Sequence, residues 1–563
     1  METIYARDFG VMPSDSPMMM LHLRSLLDYV KETGDADIVF DEGTYHFYPD
    51  FAKEIVLCIS NHDEDTIKRV AFDCTGFHDV TIHGNGSAFI FHTEILPFYL
   101  HNCKNVSVQD FSVDYARTSY SEGTIIEAEP EKVVFSVDKQ KYPYRIKHNR
   151  LYFIGDNFEH EITMWLEMDK TRYAPAVGKV DVGFNHIHYG CSVSFEEKEE
   201  GVIQAVITDD RELFPSDMEA GNLLIIRHHP RSYPAFYVTD SEDVFFSDIS
   251  IYHACGMGFI AQFTNHITLQ NFNVTFHPAQ KRVFTAAADA THFVYCKGLI
   301  QIRDCLFENQ LDDPVNIHGI YGRIKTVLSE TEIIAELVHE QQKGVRLGSS
   351  GDRIGFLTPD NMKTYGEAEM DSIEMLNKDY YHITLCQPIQ GMKAGDAVEN
   401  LSFAPDVLIE GCTFRNNRAR GLLLTSAGKV VIRNNIFKTP GAAVLIEADA
   451  SGWFESGAAK DILISGNVFE NCAYVKQWGK APIQVSPQIR KAEEGFYFHK
   501  RLVITDNTFT CFDERLIHAA NIEEIEFTDN RILPSHAFPA IAGERFVLEH
   551  IGKWKENGNC GLL

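Results

Sequence analysis

Asp289, Asp312 and Asp313 are the residues of this chain whose type and spacing best suit chemistry. Asp312 and Asp313 adjoin in ENQLDDPVNIHG, and Asn316 and His318 follow at alternate positions of a strand-like segment. Adjacent aspartates before a proline ordinarily mark a solvated turn. Carboxylates packed together disfavour each other's ionisation, so a clustered set can keep one proton near neutral pH beside an ionised neighbour. An acid and a base then coexist in one site. Whether the three meet depends on how the backbone brings distant positions together.

The chain repeats one pattern: two alternating apolar positions, a turn former, and a further apolar residue. It recurs as VTIHG, VSVQDFSV, VFFSDISI, ITLQNFNV, IQIRDCLF, VLIEGCTF, VVIRNNIF, ILISGNVF and LVITDNTF. Val244 to Ile267, Asp289 to Asp312, Val407 to Val430 and Leu502 to Ile525 are each steps of 23 residues. Such a period, with Asn, Asp or Gly at one corner, marks a β-solenoid whose coils bury their apolar faces by stacking. The fold class predicted is all-β: a right-handed parallel β-helix with two inserted, small antiparallel β-barrel-like domains and an N-terminal capping helix. Ser16 is placed as the N-cap, Pro17 as the first helical residue, Met20, Leu23, Leu27 and Val30 as the buried stripe, and Gly34 as the stop. The expected division is 1–117 for the cap and first coils, 118–230 for the first insertion, 231–319 for coils carrying the carboxylates, 320–401 for the second insertion and 402–563 for the last coils.

Coils stack about 4.8 Å apart, so matching offsets form columns. Counting from the repeat places Asp289 and Asp312 in one column, with Asp313 beside them and Arg420 one coil beyond Asp313. A guanidinium there favours ionised Asp313. A second column, Gln262, Tyr295, His318, Thr425 and Glu447, is expected to line an outer face beside the carboxylates. Trp453 and Phe454, in EADASGWFESG, could give a sugar ring a stacking platform.

Other features have plainer readings. Asn and Asp at coil corners, such as Asn271, Asp304, Asn434 and Asn507, serve the turns. His186 and His188, in NHIHY, share a strand face but have no third ligand in view, and His228 and His229 point apart. The 12 cysteines are scattered without a CxxC pair and read as buried thiols. A formal charge of -29 argues against nucleic acid and anionic membrane surfaces. No apolar run is long enough to span a bilayer, and METIYARDFG has neither a basic nor an apolar leader segment, so a soluble cytoplasmic chain is expected. A homo-oligomer is compatible with the sequence.

The segments YARDFGV, HACGMGFIAQ, RVFTAAADATHFVYCKGL, FENQLDDPVNIHGIY, NNRARGLLL and EADASGWFESG resemble glycoside hydrolase family 110 over nearly the whole chain. These are exo-acting α-1,3-galactosidases of blood-group-B-type and linear α-Gal glycans. The resemblance implies a β-helix with barrel-like insertions, net inversion at the anomeric carbon, no metal or organic cofactor, and a glycan substrate ending in α-galactose. It maps the family's carboxylate cluster onto Asp289, Asp312 and Asp313. On this reading Asp313 contributes to the base, and Asp289 or Asp312 is the acid. Asn316, His318 and Glu447 hold galactose hydroxyls, and Arg282 orients a carboxylate. Many family members carry a secretion signal, which the segment METIYARDFG is not expected to provide.

Two alternatives make different demands on the site. A pectin-degrading β-helix, whether a family 28 polygalacturonase or a calcium-dependent lyase, usually gathers Arg and Lys around an anionic sugar, whereas an acidic cleft suits a neutral one. A non-catalytic, tailspike-like solenoid would lean on aromatic and Asn platforms rather than on a triple carboxylate cluster.

Overall fold

The computed structural model describes residues 2–63, 65–184, 191–209, 217–228, 231–280 and 282–561. His186, His188 and His229 lie outside them.

Alternation of β-branched and aromatic residues with polar ones gives short strands, and the turn formers bend them into coils. Three parallel faces result. One runs through Glu242–Ile251, Asn265–Val274, Lys297–Arg303, Asp406–Glu410 and Lys429–Arg433. A second runs through Leu306–Glu308, Thr413–Arg415, Ile436–Lys438, Val468–Glu470 and Thr508–Cys511. The third, which carries the site, runs through Phe236–Thr239, Phe259–Gln262, Thr291–Val294, Val315–Ser329, Leu422–Leu424, Val444–Ile446 and Ile483–Val485.

Identical side chains stack where the pattern repeats. Phe307, Phe414, Phe437, Phe469 and Phe509 fill the interior with ring centroids 4.7–5.8 Å apart, each burial worth about 1.5–3 kcal/mol. At a neighbouring corner Asn435, Asn467, Asn507, Asn530 and Asn559 form a ladder in which each side-chain oxygen accepts the backbone N–H of the coil before it. Beside it Asp304, Asn434 and Asp506 take left-handed φ values of 55–57° that the coil turn requires. The corner residues are thus structural.

The N-terminal cap is a helix, Met19–Thr33, that buries Met20, Leu23, Leu27 and Val30 and stops at Gly34, where φ is 61°. It starts later than the sequence suggests. Met18 stands at the N-cap, and Ser16 caps from outside by accepting the Met18 N–H through Oγ.

Two units interrupt the coils. The first contains a seven-stranded antiparallel sheet built from Tyr120–Glu129, Lys132–Ser136, Met164–Met168, Val182–Gly183, Val193–Glu199, Val202–Ile207 and Leu223–Arg227 around its own core. The second is a closed six-stranded barrel. The solenoid strand Val315–Ser329 runs straight into it and pairs with both Glu332–Glu336 and Ala397–Asn400. Tyr380–Leu385, Thr364–Met375 and Arg353–Leu357 complete the ring.

The predicted register needs one correction. Val244, Val407 and Leu502 do pair with the residue 23 positions on. Thr291 instead pairs with Val315, a step of 24, and Val315 with Leu422. The extra residue at the Leu311–Pro314 corner puts Asp313, not Asp312, in the column of Asp289, with Arg420 next. It likewise puts Val294, not Tyr295, between Gln262 and His318. That second column reaches the cavity of the site only at Thr425 and Glu447. Gln262, Val294 and His318 are buried, and Tyr295 packs into the core of the second barrel.

Candidate active site

The carboxylates of Asp289, Asp312 and Asp313 converge, each offering an oxygen within 4.8 Å of the others. All three are buried and line a cavity of about 190 Å³. That is smaller than the roughly 300–1,000 Å³ of drug-sized pockets and suits a single sugar ring. The trio is tighter than the roughly 6.5–9.5 Å of an inverting pair, because Asp289 and Asp313 sit on adjacent coils and Asp313 donates its backbone N–H to Asp289 Oδ1 at 3.2 Å.

Each carboxylate has a different environment. Asp313 is clamped by Arg420, whose Nε and Nη2 reach Oδ1 and Oδ2 at 3.1 and 2.7 Å while its backbone N–H donates to Oδ1 at 2.9 Å. Burial and the neighbouring carboxylates outweigh this clamp and lift the Asp313 carboxyl to about 6. Asp312 accepts from Arg231 and, at 3.1 Å, from Arg418. Burial pushes its carboxyl up, but Arg231, Arg418, Arg420 and Arg227 together hold it well below the carboxylate range. Asp289 meets His292 Nδ1 at 2.6 Å. Burial and then the Asp312 charge raise its carboxyl to about 8. The order of proton affinity is Asp289, Asp313, Asp312.

Every part of the chain contributes. Asp181 and Arg227, from the first insertion, hold Arg418: Arg418 Nε donates to Asp181 Oδ2 at 2.6 Å, and Arg227 reaches Asp181 Oδ1 at 3.4 Å. From the N-terminal coils Asn61 donates to Glu455 at 3.0 Å. The second barrel supplies Gln342, whose side chain donates to the Trp453 carbonyl at 2.8 Å, and His339, whose ring centroid lies 4.5 Å from that of Trp453. Asp449 fixes the same loop by accepting the backbone N–H groups of Ser451, Gly452 and Trp453.

Of the residues expected at the site, Asn316, Arg420, Glu447 and Trp453 line the cavity with the three aspartates. Among the described residues the buried Asn316 Oδ1 finds no hydrogen-bond partner. Glu447 accepts from Gln488 at 2.5 Å and opens onto a neighbouring groove floored by Leu445, Gln484 and His518. Trp453 keeps 49% of its surface exposed.

Three expectations are overturned. Arg282 lies away from the cavity and pairs, buried, with Asp114 at 2.9 Å, so the carboxylate it orients is a structural one. His318 does not line the cavity; it stands behind it, between His292 and Glu455. Phe454 turns inward to the core beside Tyr321. Sequence reasoning also missed Arg231, Arg418, His292 and Glu455. His292 lies three residues after Asp289, and Arg418 and Glu455 sit in segments already singled out, but only the fold shows their direction.

The site is therefore less acidic than the sequence suggests. Three guanidiniums face it, yet each is matched to an aspartate and none is left free for an anionic sugar. The three aspartates are close enough together to share a cation, but the ionised pair, Asp312 and Asp313, already have guanidinium partners. Among the described residues no helix is long and apolar enough to cross a membrane.

Comparison with known proteins agrees with the architecture. Models of GLAA-B beta-barrel domain I and domain II match residues 121–215 and 332–398, and a right handed beta helix region matches 397–538. The chain is 32% identical over 539 residues to alpha-1,3-galactosidase B of Bacteroides thetaiotaomicron, covering 94% of this chain and 86% of that one. It is 32% identical to alpha-1,3-galactosidase A of Shewanella woodyi, with the same two coverages of 94% and 86%. Among solved structures, an exopolygalacturonase from Thermotoga maritima covers 99% of this chain, and the match covers 92% of that chain, at 10% identity and a TM-score of 0.44. With both barrel domains in place and relatives aligned across nearly its full length, the chain belongs to the α-1,3-galactosidase family, glycoside hydrolase family 110.

Proposed function

We propose that the protein is an exo-acting hydrolase that removes a terminal α-1,3-linked galactose from a glycan, with Asp289 as general acid and Asp313 as general base. The observation that carries this reading is the different partners of three carboxylates whose oxygens lie within 4.8 Å of one another: Arg420 clamps Asp313 and favours its anion, whereas Asp289 bonds His292 and no guanidinium among the described residues, so burial and the Asp312 charge favour its protonated form. Asp312 is too strongly held by Arg231 and Arg418 to take a proton. Its role is to fix those cations and to raise the proton affinity of Asp289.

In the reaction Asp289 gives its proton to the glycosidic oxygen as the bond to the anomeric carbon breaks. Water adds to that carbon and loses a proton to Asp313. Solvent then returns the proton from Asp313 to Asp289. Asn316 and Glu447 accept hydrogen bonds from the sugar hydroxyls, and Trp453 packs on the ring. A lost hydroxyl would leave the buried Asn316 oxygen unpaired, a basis for distinguishing sugar epimers.

We take inversion from the resemblance to family 110, with Asp313 deprotonating the attacking water; Asp312, both of whose oxygens accept from arginine, fixes those cations rather than attacking carbon. The compactness of the trio favours a second reading, retention through a covalent intermediate, since retaining pairs lie about 5–5.5 Å apart. To test the assignment, Asp289→Asn and Asp313→Asn are assayed on α-1,3-galactobiose, with thermal unfolding as a check on folding. Loss of at least about 10²-fold in kcat/KM is expected for both; activity within tenfold of the native protein in a folded variant would sink it.

A further inference from the structure

Behind Asp289 a hydrogen-bonded chain leads away from the cavity. Asp289 Oδ2 lies 2.6 Å from His292 Nδ1, His292 Nε2 lies 2.7 Å from His318 Nε2, and His318 Nδ1 lies 2.6 Å from the Gly319 carbonyl oxygen. Glu455 Oε1 stands 3.5 Å from His318 Nε2.

The carbonyl can only accept, so His318 Nδ1 carries a hydrogen. Two nitrogens 2.7 Å apart need one hydrogen between them. If it belongs to His292, both rings are neutral, His292 Nδ1 is a lone pair, and Asp289 must be the protonated partner. If it belongs to His318, that ring is a cation beside Glu455, and His292 Nδ1–H donates to an Asp289 carboxylate. The two arrangements hold the same number of protons. They interconvert by two concerted transfers, Asp289 to His292 Nδ1 and His292 Nε2 to His318 Nε2. Removing a proton from the set leaves either two lone pairs facing each other between the rings or a lone pair facing the Asp289 carboxylate.

We propose that His292 and His318 are positioning residues that hold the Asp289 proton between turnovers, once solvent has restored it, so that Asp289 enters each turnover as the acid. This rests on Asp289 being the acid of the proposed reaction. Asp312, Arg231, Arg420 and Glu455 face Asp289, and His62, Arg231, Asp312 and Glu455 face His292. Burial and then His318 depress the His292 imidazole far below its usual range, consistent with a ring that passes a proton without keeping a charge.

The test is the pH profile of kcat/KM for His292→Asn and His318→Asn on α-1,3-galactobiose and on 2,4-dinitrophenyl α-galactoside, whose leaving group needs no acid. His292→Asn keeps an amide facing Asp289, and His318→Asn keeps an N–H for Gly319, but neither bridges the two positions. The alkaline limb on the disaccharide is expected to move down by at least about one pH unit, while dinitrophenyl turnover stays within about twofold. An unmoved limb, or equal losses on both substrates, overturns the relay. Native protein that cleaves the disaccharide while the variants' limbs stay put condemns the relay alone; native protein releasing no galactose condemns the reading of function. Neutron diffraction on the native protein tests the relay independently of turnover and of variant folding: hydrogen on His318 Nδ1 and between the two rings is expected, and its absence between them overturns the proposal.

Discussion

Arg420→Met isolates the base. Arg420 is the sole cation bonded to Asp313 among the described residues, through its guanidinium and its backbone N–H. Methionine keeps the backbone N–H and much of the side-chain length but removes the charge. Breaking one partner out of a buried ion pair costs about 3–5 kcal/mol. At about 1.36 kcal/mol for each tenfold change in proton affinity, that raises the Asp313 pKa by roughly 2 to 4. The native carboxyl sits at about 6, so in the variant its ionisation moves to pH 8 or above. A base works only when ionised, so activity is lost from the acid side and regained as pH rises. At pH 7 the ionised fraction falls from about 90% to below about 10%, and kcat/KM should drop by at least about tenfold. The assay is kcat/KM against pH on 2,4-dinitrophenyl α-galactoside, which removes the acid's own titration from the profile. An acid limb still near pH 6, with activity lowered evenly at all pH values, would refute the assignment of Asp313 as base.

Two further substitutions separate structure from chemistry. Arg282→Met leaves the buried Asp114 carboxylate unpaired and should destabilise the fold by about 3–5 kcal/mol while folded protein keeps its native kcat/KM; chemical denaturation and kinetics measure the two, and a selective loss of activity would restore Arg282 to the site. Asn467→Ala removes the acceptor of both the Asn435 backbone and side-chain N–H groups and should cost about 2–4 kcal/mol, from two buried donors left unmet, with no change in the pH profile.

The solenoid was legible because each coil repeats one problem: alternate apolar residues need a buried face, and the corner needs a residue tolerant of left-handed backbone. The Phe and Asn ladders are direct consequences. The site was legible only in part. Column counting brought Asp289 near the aspartate pair, yet one extra residue at the Leu311–Pro314 corner exchanged Asp312 for Asp313 in the column. A period cannot reveal a single-residue insertion, and in a parallel stack one residue changes every partner. His318 was misread because strand alternation gives a side of the sheet without saying what covers it; here His292 and Glu455 flank the ring. Arg231, Asp181 and Asn61 were out of reach, since none lies in a segment that carries the repeat motif, and Asp181 reaches Arg418 only from the first insertion.

On the proposed mechanism these carboxylates cut a terminal α-1,3 galactosyl bond by direct attack of water. Proton NMR of α-1,3-galactobiose during the first minutes of turnover tests it most directly. The arrangement predicts that β-galactose appears first and the α anomer only as the sugar equilibrates in solution; α-galactose appearing first, or no galactose at all, would contradict it.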